Sequence, residues 1–552
     1  MSVESGGGPH ENIVRSAGII SAAVLLSRVT GVVREIVMAR LFGAGKLYDA
    51  FALGFRIPNL TRDLFAEGAL SSAFVPTFTE YLTGKGKKEA AELSNLVGTA
   101  VVLIVGGLCV LGMIFSPLLV GLLAPGWAAR DPDKFALAIT MTRIMFPFLL
   151  LVALAAQAMG VLNACNRFGV PALASIMFNL GSVVFGLALG FLAGPHLGIS
   201  PLEGMAGGVV LGGALQLVWQ VPSMRGIGFP FRFRLDWSDP GLRRITRLMG
   251  PAIIGSAAVQ VNVMVNTNFA SSIVDPFRDV NGPVSWLQYA FRFMQLPLGL
   301  FGVAIASATL PSISRSAALG NLEEFRRTLS RSLGMVFLLT LPSSVGLVIL
   351  GDSMIGTIYQ GGKFEAYDTH QTAVALSSYA VGLAGYSALK VLAPAFYALG
   401  SARVPALVSL ASILINYLVA WTMTRVANLG HAGLALATSG VALFGSITLF
   451  WILRGRIGGL HGRALLRSLG KIATASLVMG GVIAVSSHMI QDWLGVGRLG
   501  RLTDLAVSIP VGVGVFYGVC RAAKVDEFEL ALEALSAPLS RGASRRRVKI
   551  EK

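Results

Sequence analysis

Charge is what this sequence of 552 residues has little of: 13% of its residues are Asp, Glu, Lys or Arg, where a soluble chain carries about 25%. With 54% hydrophobic residues and a mean hydropathy of +0.70, a water-soluble enzyme or binding module is excluded. Cysteine is scarce as well. Cys109, Cys165 and Cys520 lie in apolar runs without pairing or ligand spacing, which excludes a disulfide framework and leaves them as small core hydrophobes. The six histidines are scattered, and no H-E-x-x-H, Asp-rich metal–pyrophosphate motif or nucleophile elbow is present. No catalytic residue, metal ligand or cofactor is therefore assigned. The net charge of +17 comes without any basic-aromatic module or soluble domain, so nucleic acid is not a partner. Gly106-Gly107 and Gly207-Gly208 lack the strand–loop–helix setting of a phosphate loop and read as close helix packing. Met1 to Glu11 is polar and Gly-rich, and the apolar run from Ile13 outlasts a signal peptide, so no cleaved signal is expected.

What is present is a succession of long apolar segments. Fourteen are read, at about 14–42, 48–82, 91–124, 135–163, 169–193, 204–222, 245–273, 284–314, 332–350, 370–398, 404–424, 431–453, 468–490 and 502–520. The chain is thus an all-α polytopic membrane protein of about fourteen transmembrane helices. With the N-terminus inside, about 29 Lys and Arg fall in cytoplasmic segments and about 8 outside. That asymmetry places both termini in the cytoplasm, with Lys46, Arg130 and Lys134 among the outside charges. The tail after Leu539, with Arg545, Arg546, Arg547, Lys549 and Lys552, is expected to be disordered and to lie near anionic lipid.

An internal repeat organises the segments. Val170-Pro171-Ala172-Leu173-Ala174-Ser175 recurs as Val404-Pro405-Ala406-Leu407-Val408-Ser409, 234 residues on. Phe55-Arg56, Phe65, Ser72-Ala73 and Pro76 recur as Phe291-Arg292, Phe301, Ser307-Ala308 and Pro311, a shift of 235 to 236. Two matches at nearly one offset, six segments apart, indicate a parallel repeat, with a substrate site between the halves. The expected organisation is a cytoplasmic N-terminus (1–13), a six-helix N-lobe (14–222) and a basic linker (223–244). A six-helix C-lobe (245–453), a second basic linker (454–467), two extra helices (468–520) and a basic tail (521–552) follow.

Charges inside the apolar segments mark the functional region. The set is Arg28, Arg34, Arg40, Arg56, Arg62, Arg143, Arg292 and Lys390 against Glu35, Asp49, Asp63 and Glu67. Each costs about 2.5–3.5 kcal/mol at a helix centre unless it faces a wet or protein-lined interior. Asp49, Arg56 and Asp63 recur every seven residues and Glu67 follows at i+4, so they share one helical stripe. Pro58 and Gly68 are candidate bend points on it. Arginine predominates, and its fork suits phosphate and carboxylate, so the cavity reads as an anion clamp to which both lobes contribute. For Arg56 an ion pair that only holds helix packing is an equal alternative, and for Arg40, Arg143 and Lys390 a place near segment ends, snorkelling to the surface, is favoured.

Ser27-Arg28-Val29-x-Gly31-x-x-Arg34-Glu35, Phe42-Gly43-Ala44-Gly45, Asp49-Ala50-Phe51 and Pro58-Asn59-Leu60-x-Arg62-x-Leu64-Phe65-Ala66-Glu67-Gly68-Ala69-x-Ser71-x-Ala73-Phe74-Val75-Pro76 resemble the MurJ (MviN) family. Gly250-Pro251-Ala252, Gly362-Lys363-Phe364 and Lys390-Val391-Leu392-Ala393-Pro394-x-Phe396-Tyr397 resemble it too. The resemblance extends to about residue 520. It implies a lipid II flippase of the bacterial cytoplasmic (inner) membrane, built as two lobes around a cationic cavity, working by alternating access in peptidoglycan synthesis. It implies lipid II as substrate, with Arg28, Arg34, Arg62 and Arg292 on its pyrophosphate and Asp49 as an important carboxylate. Glu35, Arg56, Asp63 and Glu67 are supporting charges, and the two extra helices hold the polyprenyl tail. Membrane lipids and cell-wall synthesis or division proteins are the further partners, and coupling to membrane potential or to a monovalent cation stays open. The chain departs from the family in carrying Phe291 and Gln295 where members have acidic residues beside the second-lobe arginine, and Asp63 where some have arginine. The competing readings are an exporter of another polyprenyl-linked glycan, a cationic-drug exporter, an undecaprenyl-phosphate enzyme and a membrane scaffold. A drug site would be acidic and aromatic, an enzyme would need a longer loop, and a scaffold leaves the arginines unexplained.

Overall fold

The computed structural model describes residues 9–62 and 70–533, so Asp63, Glu67 and Gly68 lie outside the described residues. Among those described, the regular elements are helices, and extended pairing is limited to the isolated bridges Asp275–Asp279 and Gly361–Phe364. Ten helices among the described residues are long and apolar enough to cross a membrane, eleven if Ala366–Ala380 and Leu383–Ala398, bent by 43°, form one span. The chain is a multi-pass membrane protein. The expected segments 14–42, 48–82 and 245–273 are also helical, as Pro9–Phe42, Lys46–Arg62 with Ser71–Gly84, and Pro240–Ser271, but they are not among those ten or eleven. They carry many of the charges: Arg28, Arg34, Asp49, Arg56 and Arg62, and the Arg243, Arg244, Arg247 cluster.

Local sequence explains where many helices begin. Proline in the first turn has no N–H to leave unsatisfied, and an Asp or Ser before it caps the next free donors. Asp131 precedes Pro132 and accepts from Lys134 N at 3.0 Å. Asp239 precedes Pro240 and accepts from Leu242 N at 2.8 Å. Ser200 and Glu203 form a reciprocal capping box around Pro201. Within the spans the polarity of a soluble helix is reversed. In Gly462–Leu494 the buried stripe is Ser468, Ile472, Ala475, Ser476, Met479, Gly480, Ile483 and Ser487, while Leu477, Val485, Met489 and Trp493 are exposed. Small and polar groups pack helix on helix, and large apolar groups face lipid.

Two compact units divide the chain. The first comprises 1–285 and 361–364. Its helices Gly169–Leu187 and Pro201–Val218 touch backbone to backbone: a Cβ on Gly208 would stand 2.5 Å from Gly186 Cα. The close-packing expectation therefore fits Gly207-Gly208. It fails at Gly106-Gly107, where a Cβ on Gly107 would meet nothing within 4 Å. The basic linker is strapped along Lys87–Ile114, with Arg232 N donating to Asn95 Oδ1 (2.9 Å), Arg234 N to Thr99 Oγ1 (3.0 Å) and Phe229 buried.

The second unit comprises 286–360 and 365–552, with a core that includes Phe325, Leu329, Val391, Phe396 and Leu453. The boundary between the two units falls after Ser285. The reason is visible in Pro240–Ser271. Arg244 pairs with Glu80 at 2.8 Å and Asn268 donates to Leu122 O at 2.8 Å, binding this helix to the first unit.

Each unit carries its own copy of one backbone pattern. In the first, Cys165 N, Asn166 N and Arg167 N donate to Val161 O, Asn163 O and Leu162 O; in the second, Leu399 N, Gly400 N and Ser401 N donate to Ala395 O, Tyr397 O and Phe396 O. Every position is shifted by 234. The helices that follow each break into a π-helical turn, Ala188–Ala193 and Thr422–Val426. The same helix-end pattern recurs at 223–229, 315–321 and 519–525, so what the two halves share is its place, 234 residues apart, with a π-helical turn at the equivalent position after it. Cys109 and Cys520 are buried, Cys165 partly so, and all three are free.

Candidate functional site

Helix Lys46–Arg62 is the centre of the charged region. Asp49 sits in its first turn with no accessible surface. Its Oδ2 accepts from Lys134 Nζ at 2.6 Å and from Gly282 N at 2.8 Å. Its Oδ1 accepts from Ser285 N at 2.8 Å and from Ser285 Oγ. Lys134, equally buried, also donates to Val280 O at 2.8 Å and lies 4.0 Å from the centre of the Trp127 ring. A buried ion pair is tolerable when its remaining hydrogen-bonding capacity is met, and here the segment 280–285 meets it, with the Trp127 ring beside the ammonium.

The sequence reading set Asp49 on a cavity stripe and Lys134 in an outside loop. The structure joins them. The signal was available: Asp131-Pro132 is a cap followed by a first-turn proline, which starts the helix at 132 and puts Lys134 inside it. Asp131 also accepts from Lys46 Nζ at 2.7 Å, so both helix starts are clasped together. Burial pushes the Asp131 carboxyl up, but the hydrogen bond and charge of Lys46 outweigh it and hold the group below the ordinary aspartate value.

Arg56 donates from Nη1 to the buried Thr267 Oγ1 at 2.7 Å. Arg62 closes the helix, half-buried, and the helix runs through Pro58 without interruption. Arg34, half-buried on Pro9–Phe42, lies between two rings, 5.7 Å from the centre of Phe55 and 5.2 Å from that of Phe178. Glu35 beside it is 7% exposed. Arg28 is exposed. Asn179 Nδ2 donates to Ser27 O at 3.1 Å and Thr30 Oγ1 at 3.2 Å, which fixes the turn that carries Arg28. Of the charges read as snorkelling, Arg40 and Lys390 are exposed, and Arg143 donates from Nε to Ser116 Oγ at 3.0 Å.

In the second unit Arg292 is half-buried on Pro283–Pro297 and donates from Nη1 to Gln295 Oε1 at 3.2 Å. Phe291 stands edge-on to Tyr379, ring centres 5.3 Å apart. The departures from the family pattern are thus a neutral hydrogen-bond partner and an aromatic contact.

Two motifs far apart in sequence form one clasp. Lys363 N donates to Arg40 O at 2.9 Å. Gly362 lies at φ +60° with the space for its Cβ already taken by Arg40 O, and Gly43 lies at φ +70° against Lys363 O. Both positions require glycine for conformation and for room. This clasp is why 361–364 packs with the first unit.

A family model described as Lipid II flippase MurJ matches residues 38–502. The chain belongs to the MurJ lipid II flippase family. It is 34% identical over 514 residues to the Lipid II flippase MurJ of Burkholderia cenocepacia, covering 92% of this chain and 97% of that protein. With the Probable lipid II flippase MurJ of Vibrio cholerae it shares 32% over 525 residues, covering 92% and 96%. Among solved structures, a Lipid II flippase MurJ in an inward closed conformation aligns with a TM-score of 0.72 and 25% identity, over 91% of this chain and 99% of that one. An inward-facing MATE family multidrug transporter aligns with a TM-score of 0.65 at 15% identity, over 80% of this chain and 96% of that one, which shows the shared transporter fold. Family members of this kind are transporters, not enzymes. The family-model match contains Asp49, Arg62, Lys134 and Arg292 and ends before Asp504.

Proposed function

We infer that this chain is a lipid II flippase, moving the undecaprenyl-pyrophosphate-linked peptidoglycan precursor from the cytoplasmic to the periplasmic leaflet of the bacterial inner membrane by alternating access. Family membership over most of the chain carries the reading. The half-buried arginines within its helices supply the chemistry. In this mechanism Arg34, Arg62 and Arg292 bind the pyrophosphate, with Arg28 as a further phosphate contact. Guanidinium forks match phosphate oxygens bidentately and keep their charge throughout the cycle. The disaccharide-pentapeptide travels in the hydrated interior while the C55 tail stays in lipid beside Gly462–Leu494 and Arg498–Ala522. Exchange between two states exposes the head group first to one side and then to the other. Asp49 acts by fixing the start of the arginine-bearing helix, while Glu35, Arg56, Asp63 and Glu67 set the local charge balance, and Pro58 and Gly68 are the proposed bend points.

Both termini are cytoplasmic in this reading, on the excess of inside Lys and Arg. A net positive interior responds to membrane potential by about 2.3 kcal/mol per charge per 100 mV, which provides a resetting force. Proteins of cell-wall synthesis and division are the partners the substrate implies.

The test is complementation in a bacterium whose own lipid II flippase can be shut off, with periplasmic exposure of lipid II measured directly. Parent chain restores exposure; Arg34→Ala, Arg62→Ala and Arg292→Ala at matched membrane levels do not. A well-expressed parent that restores nothing points to another polyprenyl-linked glycan, and fully active arginine variants remove these residues from the site.

A further inference from the structure

We propose that Asp504 is the centre of a binding site for one small monovalent metal cation, formed by Leu322–Ile358, Gly462–Leu494 and Arg498–Ala522.

Asp504 has no accessible surface. It belongs to the inner stripe Gly500, Asp504, Ser508, Gly512 of its helix, where the only charge is its own. Its Oδ2 accepts from Ser353 Oγ at 2.5 Å, Ser487 Oγ at 2.8 Å and Gln491 Nε2 at 3.3 Å, and its Oδ1 from Ser508 Oγ at 2.8 Å. Ser486 Oγ extends the cluster, 3.0 Å from Ser508 Oγ. All these partners are neutral. Among the described residues no Lys, Arg or His forms an ion pair with it, in contrast to Asp49.

The charged groups around the cluster are engaged with one another. Arg501, one turn before Asp504, directs its guanidinium to Gln360 Oε1 and feels the charge of Asp352. Asp352 also faces His370, 3.7 Å away, and His488 faces Asp492 at 3.5 Å, each pair exposed. A lone carboxylate in the protein interior of a membrane segment is costly, and one bound positive charge removes the cost.

The hydroxyls favour a metal ion as that charge. In these helices Thr340, Ser343 and Ser476 give their proton to the carbonyl four residues back, at Val336, Leu339 and Ile472, while Ser468 gives its proton to the Glu527 carboxylate. Ser353 and Ser487 instead donate to Asp504. Rotation of each hydroxyl returns its proton to its own helix and presents an oxygen lone pair to an ion beside the carboxylate. The Gln491 amide can turn its oxygen inward in the same way. The result is a set of hard oxygen ligands with a single negative charge. A divalent ion would leave a net positive charge buried, so a cation of unit charge, such as sodium, matches the set. Asp504 lies about 9 Å along the helix axis from Arg498, so an ion reaches it from the near membrane face without crossing the apolar core.

The experiment uses full-length protein in lipid nanodiscs, with thermal unfolding followed as NaCl replaces choline chloride at constant ionic strength, and with radioactive sodium binding measured alongside. The parent is expected to bind one sodium per chain and to show a saturable rise in apparent Tm. Asp504→Asn keeps the shape, loses the ligand charge and loses both responses. Ser353→Ala, which keeps the carboxylate, needs about tenfold more sodium, about 1.4 kcal/mol. The proposal is overturned if the parent shows no saturable sodium response or if Asp504→Asn retains it. A response that follows pH and is indifferent to sodium overturns it in favour of a proton. If Asp504→Asn fails to fold, an unchanged sodium affinity in Ser353→Ala and Ser487→Ala rejects the site. None of these readouts depends on the transported substrate.

Discussion

Asp49 lies in the first unit and Asp504 in the second, and neither carboxylate reaches solvent. Asp49 meets a lysine ammonium at 2.6 Å and the backbone N–H groups of Gly282 and Ser285. Asp504 meets hydroxyls and an amide. The charged and backbone partners of the first set are built in and fixed, whatever the Ser285 hydroxyl does: an ammonium cannot leave without stranding a charge, and backbone donors cannot rotate away. The second set is made of groups that pivot about one bond and have another acceptor on their own helix. A permanent counter-charge makes a carboxylate architectural, and adaptable neutral donors leave it open to a ligand.

The contrast can be broken most severely at Lys134. Lys134→Met leaves Asp49 buried and unpaired, with an expected loss of about 3–5 kcal/mol in unfolding measured on the purified protein. Adding Asp49→Leu should recover much of that loss, and a double variant no better than the single would dissolve the pair as the cause. Ser285→Ala deletes a side-chain donor to the same carboxylate and is expected to cost about 1.5–3 kcal/mol by the same assay. Ser353→Ala, measured without sodium, is the matching deletion at Asp504. It should cost less, about 1 kcal/mol, because the remaining hydroxyls readjust; a cost as large as that of Ser285→Ala would erase the distinction between rigid and adaptable partners.

The smallest effect concerns the rim of the Asp49 cluster. The folded-state value of Asp131 is depressed, so its contribution is fully present above the ordinary aspartate value and fades as pH falls through the folded one. With Lys46 partly exposed, solvent screening keeps that contribution near 0.2–1 kcal/mol. A pH series on Asp131→Asn against the parent checks it: the parent's advantage should shrink on acidification, and an advantage that grows would reverse the sign argued here.

Much of this was legible in the sequence because it depends on local pattern. The apolar spans follow from composition, and the parallel repeat from two short strings at nearly one offset. The intramembrane arginines were visible as violations of an apolar run. What escaped depends on pairing across distance. Lys134 looked like one more outside charge until the helix start at Pro132 carried it inward. Asp504 stands seven residues into its helix, among Leu, Val and Ile, and no periodic signal tells which residues of other helices will face it. The clasp between Gly43 and Gly362 was written as two separate motifs, and only folding brings them to one place.

Asn166 at φ +58° and Gly400 at φ +68° hold equivalent places in the two halves. Their neighbours have diverged freely: Cys165 answers to Leu399 and Arg167 to Ser401. At the turn itself the alphabet is nearly closed, because only glycine and, less readily, asparagine enter the left-handed region at small cost. Two copies of an ancestral half could exchange charge, size and lipid contact around this point while the point stayed still. It is a hinge pin in the genealogical sense, and a chimera that joins one half to the other can be cut on either side of it without losing register.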